Sequence, residues 1–153
     1  MLFSRTSQYA IQALIYLAAQ PNGRSVLNRE IAHSLGVPPA YLAKILQGLS
    51  RRQLLDSSRG RYGGFSLRDG MEQTNLLHIV LLTEGHRVER ECLLGLKACG
   101  DDTACPMHRQ WKPLKQEMLA YLGRVTLTHL AKAVRSGQYR LSDLPQALAT
   151  HRT

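Results

Sequence analysis

The first third of the chain carries apolar positions at helical spacing, interrupted by residues that end helices. Residues 6–19 repeat apolar side chains every three or four positions, which predicts a helix capped by Thr6 or Ser7. A shorter apolar stripe predicts a second helix over residues 29–35, with Asn28 as its cap and a glycine at its end. Two helices are therefore expected before the first proline pair.

A third apolar stripe follows Pro38 and Pro39, and proline is tolerated in the first turn of a helix. Beyond this helix, the extended segments 54–57 and 65–67 flank a glycine-rich turn, which predicts a β-hairpin. A pair of helices joined by a short turn and followed by a hairpin is typical of a winged helix. The expected fold class is mainly α with a small β-hairpin wing.

The second half of the chain predicts helices on both sides of an irregular segment. Asn75 is the expected cap of a strongly apolar helix, buried within the domain or against a partner chain. Residues 86–107 show no regular pattern and hold all three cysteines. A long helix that pairs with another helix is expected to start near Lys112, with Pro113 beginning or kinking it. A last helical piece precedes a polar tail.

Charge is distributed unevenly along the 153 residues, whose formal net charge is +9. Counted from the sequence, residues 1–70 hold 9 Lys and Arg against 3 Asp and Glu, whereas residues 71–153 hold 11 against 8. The N-terminal half is therefore the better candidate for a surface that binds a polyanion. A basic surface that only keeps the protein soluble is the alternative.

The predicted helix-turn-helix and wing together define a candidate DNA interface. The third helix offers a phenol, an ammonium and an amide group to base edges or phosphates. The hairpin adds two arginines, and its glycines would let the backbone lie close to DNA. The alternative is a helix-turn-helix used only for protein contacts. The predicted DNA-binding residues are Asn28, Pro39, Ala40, Tyr41, Lys44, Gln47, Arg59, Arg61, Gly63 and Gly64.

A candidate metal site is formed by Cys92, Cys99, Cys105 and His108, in the pattern C-x6-C-x5-C-x2-H. Thiolates and an imidazole this close together favour a metal site over a disulfide framework, as does an odd cysteine count. An iron-sulfur cluster and a zinc ion are nearly equal possibilities on spacing alone, and free thiols are the third. The fourth ligand could instead be Gln8 or His33 from a partner chain.

Other classes of function find little support in the sequence. It contains neither a phosphate-binding glycine loop nor a legible catalytic triad or carboxylate pair, so we expect no enzyme. No apolar run approaches the ~20 residues that span a bilayer, so no membrane partner is expected. The N-terminus lacks the features of a secretory signal, so we expect a cytoplasmic protein with reduced thiols.

Several motifs together resemble the Rrf-type winged-helix transcription regulators, a family that includes the iron-sulfur regulators IscR and NsrR. These motifs are SQYAIQALIYLA, IAHSLGVPPAYLAKILQGLSRRQLLDSSRGRYGGFSL, the Glu84-Gly85 pair, and the cysteine pattern followed by Trp111. The resemblance covers roughly residues 1–135. It implies a homodimer that binds a near-palindromic, double-stranded DNA operator and crosses its long helices at the dimer interface.

The resemblance also implies an iron-sulfur cluster, usually 2Fe-2S, in each subunit. The three cysteines correspond to the family's ligands, and His108 matches the histidine of the IscR-like set. The first cysteine gap is one residue longer than in that set, and Gln8 replaces the acidic ligand of NsrR-like members. Structural zinc or no metal is the runner-up, and a metal or cluster carrier without a DNA role is a third hypothesis. The implied units are a winged helix-turn-helix domain (1–70), a cluster loop with dimerisation helices (71–135) and a C-terminal tail (136–153).

Overall fold

The computed structural model describes residues 3–97 and 99–141, with the backbone alone for Asn22. The predicted tail over residues 136–153 thus lies outside the described residues from position 142 onward. The helices are α1 (Arg5–Ala18), α2 (Asn28–Leu35), α3 (Pro39–Arg51), α4 (Leu76–Glu84), α5 (Arg87–Arg90), α6 (His108–Arg124) and α7 (Leu127–Arg135), and the strands are β1 (Leu55–Ser58) and β2 (Gly64–Leu67).

Helix α1 is the centre of the core and packs against α2, α3, α4, α7 and β2. Its apolar side chains Ala13, Leu14 and Leu17 are at most 1% exposed. Burial of such side chains is the main favourable term in folding, and it fixes the relative positions of the helices around α1. Helices α2 and α3, strand β2 and helix α4, which precedes the cysteine loop (residues 86–107), are therefore attached to one common core.

Two predicted helix starts are wrong. The N-cap of α1 is Ser4, whose hydroxyl accepts a hydrogen bond from the Ser7 amide, so neither Thr6 nor Ser7 caps the helix. Asn28 is the first residue of α2 and caps nothing; instead its side-chain amide donates to the Pro39 carbonyl at 2.9 Å. That bond ties the start of α2 to the start of α3, a long-range contact that local sequence does not reveal.

The turn and the wing follow the prediction closely. Gly36 ends α2 in the left-handed conformation, at φ 66° and ψ 33°, and Pro39 occupies the first turn of α3. Strands β1 and β2 pair antiparallel, and a bridge between Val26 and Phe65 attaches the wing to the segment before α2. The first strand starts one residue later than predicted, because the Leu54 amide bonds back to Leu49 of α3.

The second half brings two more corrections. Asn75 caps α4 as predicted, its side chain accepting from the His78 amide. The irregular segment contains the short helix α5, and α6 begins at His108, four residues before the expected position. Pro113 therefore lies inside α6 and does not begin it, which removes one backbone donor from the helix.

Candidate nucleic-acid interface and cysteine loop

The predicted DNA-contacting side of α3 is exposed. Ala40, Tyr41, Lys44 and Gln47 all reach solvent, whereas Leu42, Ile45, Leu46 and Leu49 are buried on the opposite side. Helix periodicity accounts for the separation, since residues three or four positions apart share a face. The exposed side carries the polar groups that a recognition helix needs.

Tyr41 is held by α1, a contact that the sequence did not suggest. Its hydroxyl lies 2.6 Å from the hydroxyl of Thr6, and its ring meets the ring of Tyr9 edge-on at 5.8 Å between centroids. Edge-to-face pairs of this kind are favourable beyond the area they bury. Tyr41 is 37% exposed, so it braces α3 against α1 while part of the ring stays accessible.

The tip of the wing carries exposed cations. Arg59 and Arg61 are both exposed, and within the described residues neither has an ion-pair partner. Arg61 stacks over the ring of Tyr62, at 5.8 Å from guanidinium carbon to ring centroid, and Tyr62 is itself 88% exposed. An unpaired arginine and an exposed aromatic side chain are suited to a phosphate backbone.

The wing glycines have a packing role that differs from the predicted one. A Cβ on Gly63 would overlap the carbonyl oxygen of Ser58, and a Cβ on Gly64 would overlap the backbone of Val26. Gly64 also has φ +125°, where side chains are strained. Both positions therefore need glycine for contacts inside the protein, whatever they do toward DNA.

A basic surface pocket of about 320 Å³ lies beside α3, and sequence reasoning missed it. Its cationic residues are Lys44, Arg51 and Arg52, and Thr6 and Thr83 also line it. The two arginines follow the buried Leu49 at the end of α3, where positive charge also complements the helix dipole. Basic residues at adjacent positions 51 and 52 were the available signal.

The four predicted metal ligands occur as two close pairs. Cys92 Sγ lies 3.7 Å from Cys105 Sγ, and Cys99 Sγ lies 3.5 Å from His108 Nδ1. All three cysteines are free thiols. Within residues 3–97 and 99–141, no three such side chains converge to enclose a single ion. The candidate ligands therefore form two separate pairs, Cys92 with Cys105 and Cys99 with His108.

His108 has a second partner on its other ring nitrogen. Nε2 lies 2.9 Å from Oδ1 of Asp101, and the ammonium of Lys112 lies 2.7 Å from Oδ1 and 2.8 Å from Oδ2 of the same carboxylate. Hydrogen bonds from Lys112 and then from His108 hold the pKa of Asp101 below its usual value. Sequence reasoning did not single out Asp101, although a carboxylate between two ligands was the available signal.

The pKa of the Cys92 thiol lies below its ordinary value. Hydrogen bonding to the Leu94 backbone amide lowers its pKa; burial opposes this, while the Leu96 amide, Cys105 and the charge of Lys115 add to the lowering. The thiolate is the form that binds metals, so a lowered pKa favours ligation. Gln8 lies on α1 and His33 on α2, away from the cysteine segment in sequence, and their proposed role from a partner chain stays a prediction.

A polar contact joins the end of α4 to the start of α1. The Glu84 carboxylate accepts from the Ser4 amide at 2.7 Å and from the Ser7 hydroxyl at 2.5 Å, and Ser7 also lies 2.6 Å from the Thr83 hydroxyl. A carboxylate at a helix N-terminus is favourable because of the exposed amides and the helix dipole. The segment leading to the cysteines is thus anchored next to Thr6, the partner of Tyr41.

Residues 3–133 match the Rrf2 family, described as an iron-dependent transcriptional regulator. The chain belongs to the Rrf2 family. The resemblance seen in the sequence is therefore confirmed. The family assignment makes this chain a transcriptional regulator.

Relatives agree with the family assignment. A protein of Aquifex aeolicus named as an HTH-type transcriptional regulator is 34% identical over 133 residues, covering 85% of this chain and 91% of the relative. A similarly named protein, Rv1287 of Mycobacterium tuberculosis, is 30% identical, covering 86% of this chain and 81% of the relative.

Solved structures show the same fold. CymR of B. subtilis, the global cysteine regulator, aligns with a TM-score of 0.72 at 23% identity, covering 86% of this chain and 96% of CymR. IscR of T. potens aligns with a TM-score of 0.68 at 21% identity, covering 89% of this chain and 90% of IscR. The mainly α fold with a β-hairpin wing is thus confirmed. In the part of the chain that the structure describes, no helix is both long and apolar enough to cross a membrane.

Proposed function

We propose that this Rrf2 regulator is a homodimer that binds a near-palindromic DNA operator and senses its signal with a 2Fe-2S cluster bound by Cys92, Cys99, Cys105 and His108. The observation that carries the proposal is the division of these ligands into two close pairs on a chain that also exposes a recognition helix. Family membership supports transcription regulation; the DNA contacts, the dimer and the cluster are what we add.

The donor set fits a two-iron cluster. Tetrahedral metal sites with metal-sulfur bonds of about 2.3 Å separate neighbouring sulfurs by about 3.8 Å, and a sulfur and a nitrogen on one metal by about 3.6 Å. The observed separations of 3.7 Å and 3.5 Å match these edges. Cys92 and Cys105 would bind one iron, and Cys99 and His108 the other. A bound cluster would supply one-electron transfer, and its reduction potential would depend on its ligands and on the hydrogen bonds to them.

Structural zinc is the second candidate, because the same four side chains suit its chemistry. A single zinc ion would require all four ligands to converge on one point, and the described residues instead give two pairs. Two pairs favour the two-iron site. A metal or cluster carrier is the least favoured hypothesis, since a carrier would not need the exposed side of α3 or the wing arginines.

A second copy of this chain is the partner that we propose for the cysteine loop and α6. Leu93, Leu94 and Leu96 in the loop are each at least 50% exposed. On α6, Leu114 and Tyr121 are each 58% exposed. Apolar side chains concentrated on one segment and one helix indicate an interaction surface. A dimer formed there would carry two recognition helices, as a two-fold operator requires.

Composition analysis tests the sensor part of the proposal. After anaerobic purification we expect a coloured protein with iron and sulfide in equal amounts and little zinc. The variants Cys92→Ser, Cys99→Ser and Cys105→Ser should each abolish iron retention, and His108→Ala should give a labile or altered cluster. Stoichiometric zinc without sulfide would contradict the cluster and support a structural zinc ion. An unchanged spectrum in His108→Ala would show that His108 is not a ligand and would make Gln8 and His33 the next candidates.

DNA titration tests the regulator part. The dimer should prefer one duplex with half-sites about one helical turn apart over random DNA. Arg59→Ala should weaken binding. It should also make the slope of log affinity against log salt concentration less steep by about one, which corresponds to the loss of one phosphate contact. Lys132→Ala removes one exposed positive charge from α7, a helix outside the proposed dimer surface, and serves as the control. Equal binding to all sequences, in both loaded and metal-free protein, would contradict the proposal.

A further inference from the structure

We propose that Asp101 is a positioning residue: it fixes the His108 ring so that Nδ1, and not Nε2, is the atom that binds iron. This inference rests on the proposed cluster site. Asp101 itself touches no cysteine in the described contacts and would act only through the imidazole.

The argument begins with the hydrogen-bonding capacity of a carboxylate. Ionised Asp101 can only accept hydrogen bonds, so His108 Nε2, at 2.9 Å from Oδ1, must carry the proton that it donates. In the neutral ring Nδ1 then holds the lone pair. That atom faces Cys99 Sγ at 3.5 Å, which is the side where a metal ligand is needed. The contact to Asp101 thus selects both the tautomer and the ligating atom.

Lys112 holds the carboxylate in place. Its ammonium contacts both oxygens of Asp101, at 2.7 Å and 2.8 Å, and it lies one helical turn after His108 on α6. The His108 side chain is 9% exposed, whereas that of Asp101 is 72% exposed. Asp101 therefore contacts a buried ring from the solvent side.

An ordinary surface ion pair is the competing explanation for these contacts. Exposed pairs contribute little to stability, so stability measurements alone would not separate the two explanations. Outer hydrogen bonds to a ligating histidine have a different signature. Their removal typically weakens metal binding about 10- to 100-fold, because the ring loses its fixed tautomer and orientation. The test must therefore measure the ring itself.

The first measurement uses the metal-free protein and does not depend on the cluster. NMR of isotope-labelled histidine at mildly alkaline pH reports which ring nitrogen carries the proton, and the His108→Ala variant identifies the His108 signals. Wild type should show the proton on Nε2. Asp101→Ala should show a mixture of tautomers, whereas Asp101→Asn keeps an accepting oxygen and should restore the wild-type state. Asp102→Ala, at an exposed neighbouring acid, is the matched control and should change nothing.

The second measurement uses the anaerobically loaded protein. Pulsed EPR of the reduced form, with histidine labelled at Nδ1 alone or at Nε2 alone, should find the strong nitrogen coupling at Nδ1 in wild type. Asp101→Ala should lose this coupling or move it to Nε2, and should lose iron to a chelator about 10- to 100-fold faster. Asp101→Asn should stay nearer to wild type.

Strong coupling at Nε2 in wild type would overturn the inference. So would a tautomer and coupling in Asp101→Ala that are identical to those of wild type. Failure of the proposed function looks different, because wild-type protein would then bind no iron at all while the metal-free NMR still reports the tautomer. In that case a proton on Nδ1 in wild type would refute the positioning role directly.

Discussion

Gly64 shows how a single residue can serve a purpose other than the one its sequence context suggests. A glycine in a basic hairpin indicates close approach to DNA, yet the missing Cβ of Gly64 faces the Val26 backbone. The bridge between Val26 and Phe65 brings these chains together. Sequence reasoning identified the residue correctly as one that needs glycine, but the partner lies about forty positions away and leaves no local signal.

Gly64→Ala should therefore destabilise the fold itself. Overlap with the Val26 backbone and strain at φ +125° together should cost about 2–4 kcal/mol, lowering Tm by roughly 5–15 °C. Gly60→Ala is the matched control, since Gly60 has φ +101° but nothing within 4 Å of its Cβ position. It should cost only about 1–2 kcal/mol. If Gly64→Ala keeps the wild-type Tm but binds DNA more weakly, Gly64 acts directly in DNA binding and not through the fold.

Elements were easier to predict than the contacts between them. Apolar spacing predicted α3 and the caps of Asn75 and Gly36 correctly, because these signals are local. The start of α6 was wrong because Pro113 is a common helix-starting residue, while the true start at His108 is set by the folded cysteine loop. The candidate ligands were chosen from the sequence and stay a prediction, whereas their division into two close pairs and the contact to Asp101 depend on tertiary structure.

Glu84 is an element-scale contact with a testable pH dependence. Partial burial raises its pKa, but hydrogen bonds from Ser4 and Ser7 and the charge of Arg87 outweigh it, so the pKa lies below the ordinary 4.5. The charged form therefore stabilises the fold above pH 4.5, and this contribution is lost as the pH falls through the lowered pKa.

Glu84→Gln should reduce the free energy of unfolding by about 1 kcal/mol near neutral pH, since charge-assisted bonds at a helix N-terminus are lost. The difference from wild type should shrink as the pH falls below 4.5, where the unfolded-state carboxylate is protonated, and vanish once the pH has passed the lowered pKa of the native carboxylate. Denaturant titration across the acid range measures both effects. Glu72→Gln, at an exposed acid before α4, is the control. A pH-independent difference would mean that packing, and not charge, is what the substitution changes.

At the scale of the whole molecule, the cysteine loop is connected to α3, the proposed recognition helix, through α4 and α1. Glu84 and Thr83 end α4 next to Ser7, and Thr6 beside it contacts Tyr41 of α3. The loop that follows α4 also exposes Leu93 and Leu94, which lie on the dimer surface proposed above. Ordering of the cysteine loop would thus act on α3 within one chain, through α1. In the proposed dimer it would also act on the spacing of the two wings.

Cluster state should therefore control operator affinity. A signal can shift DNA binding only if the metal-free, oxidised and reduced forms of the protein favour different arrangements of the dimer. Couplings between sites are usually about 1–3 kcal/mol, or roughly 5- to 150-fold in affinity. Matched titrations of the metal-free, oxidised and reduced protein on one operator should reveal a difference of this size. Glu84→Gln should diminish it if the α4 to α1 contact carries the coupling, whereas Glu72→Gln should leave it intact. Affinities within about twofold for all three forms would make the cluster a structural support and not a sensor.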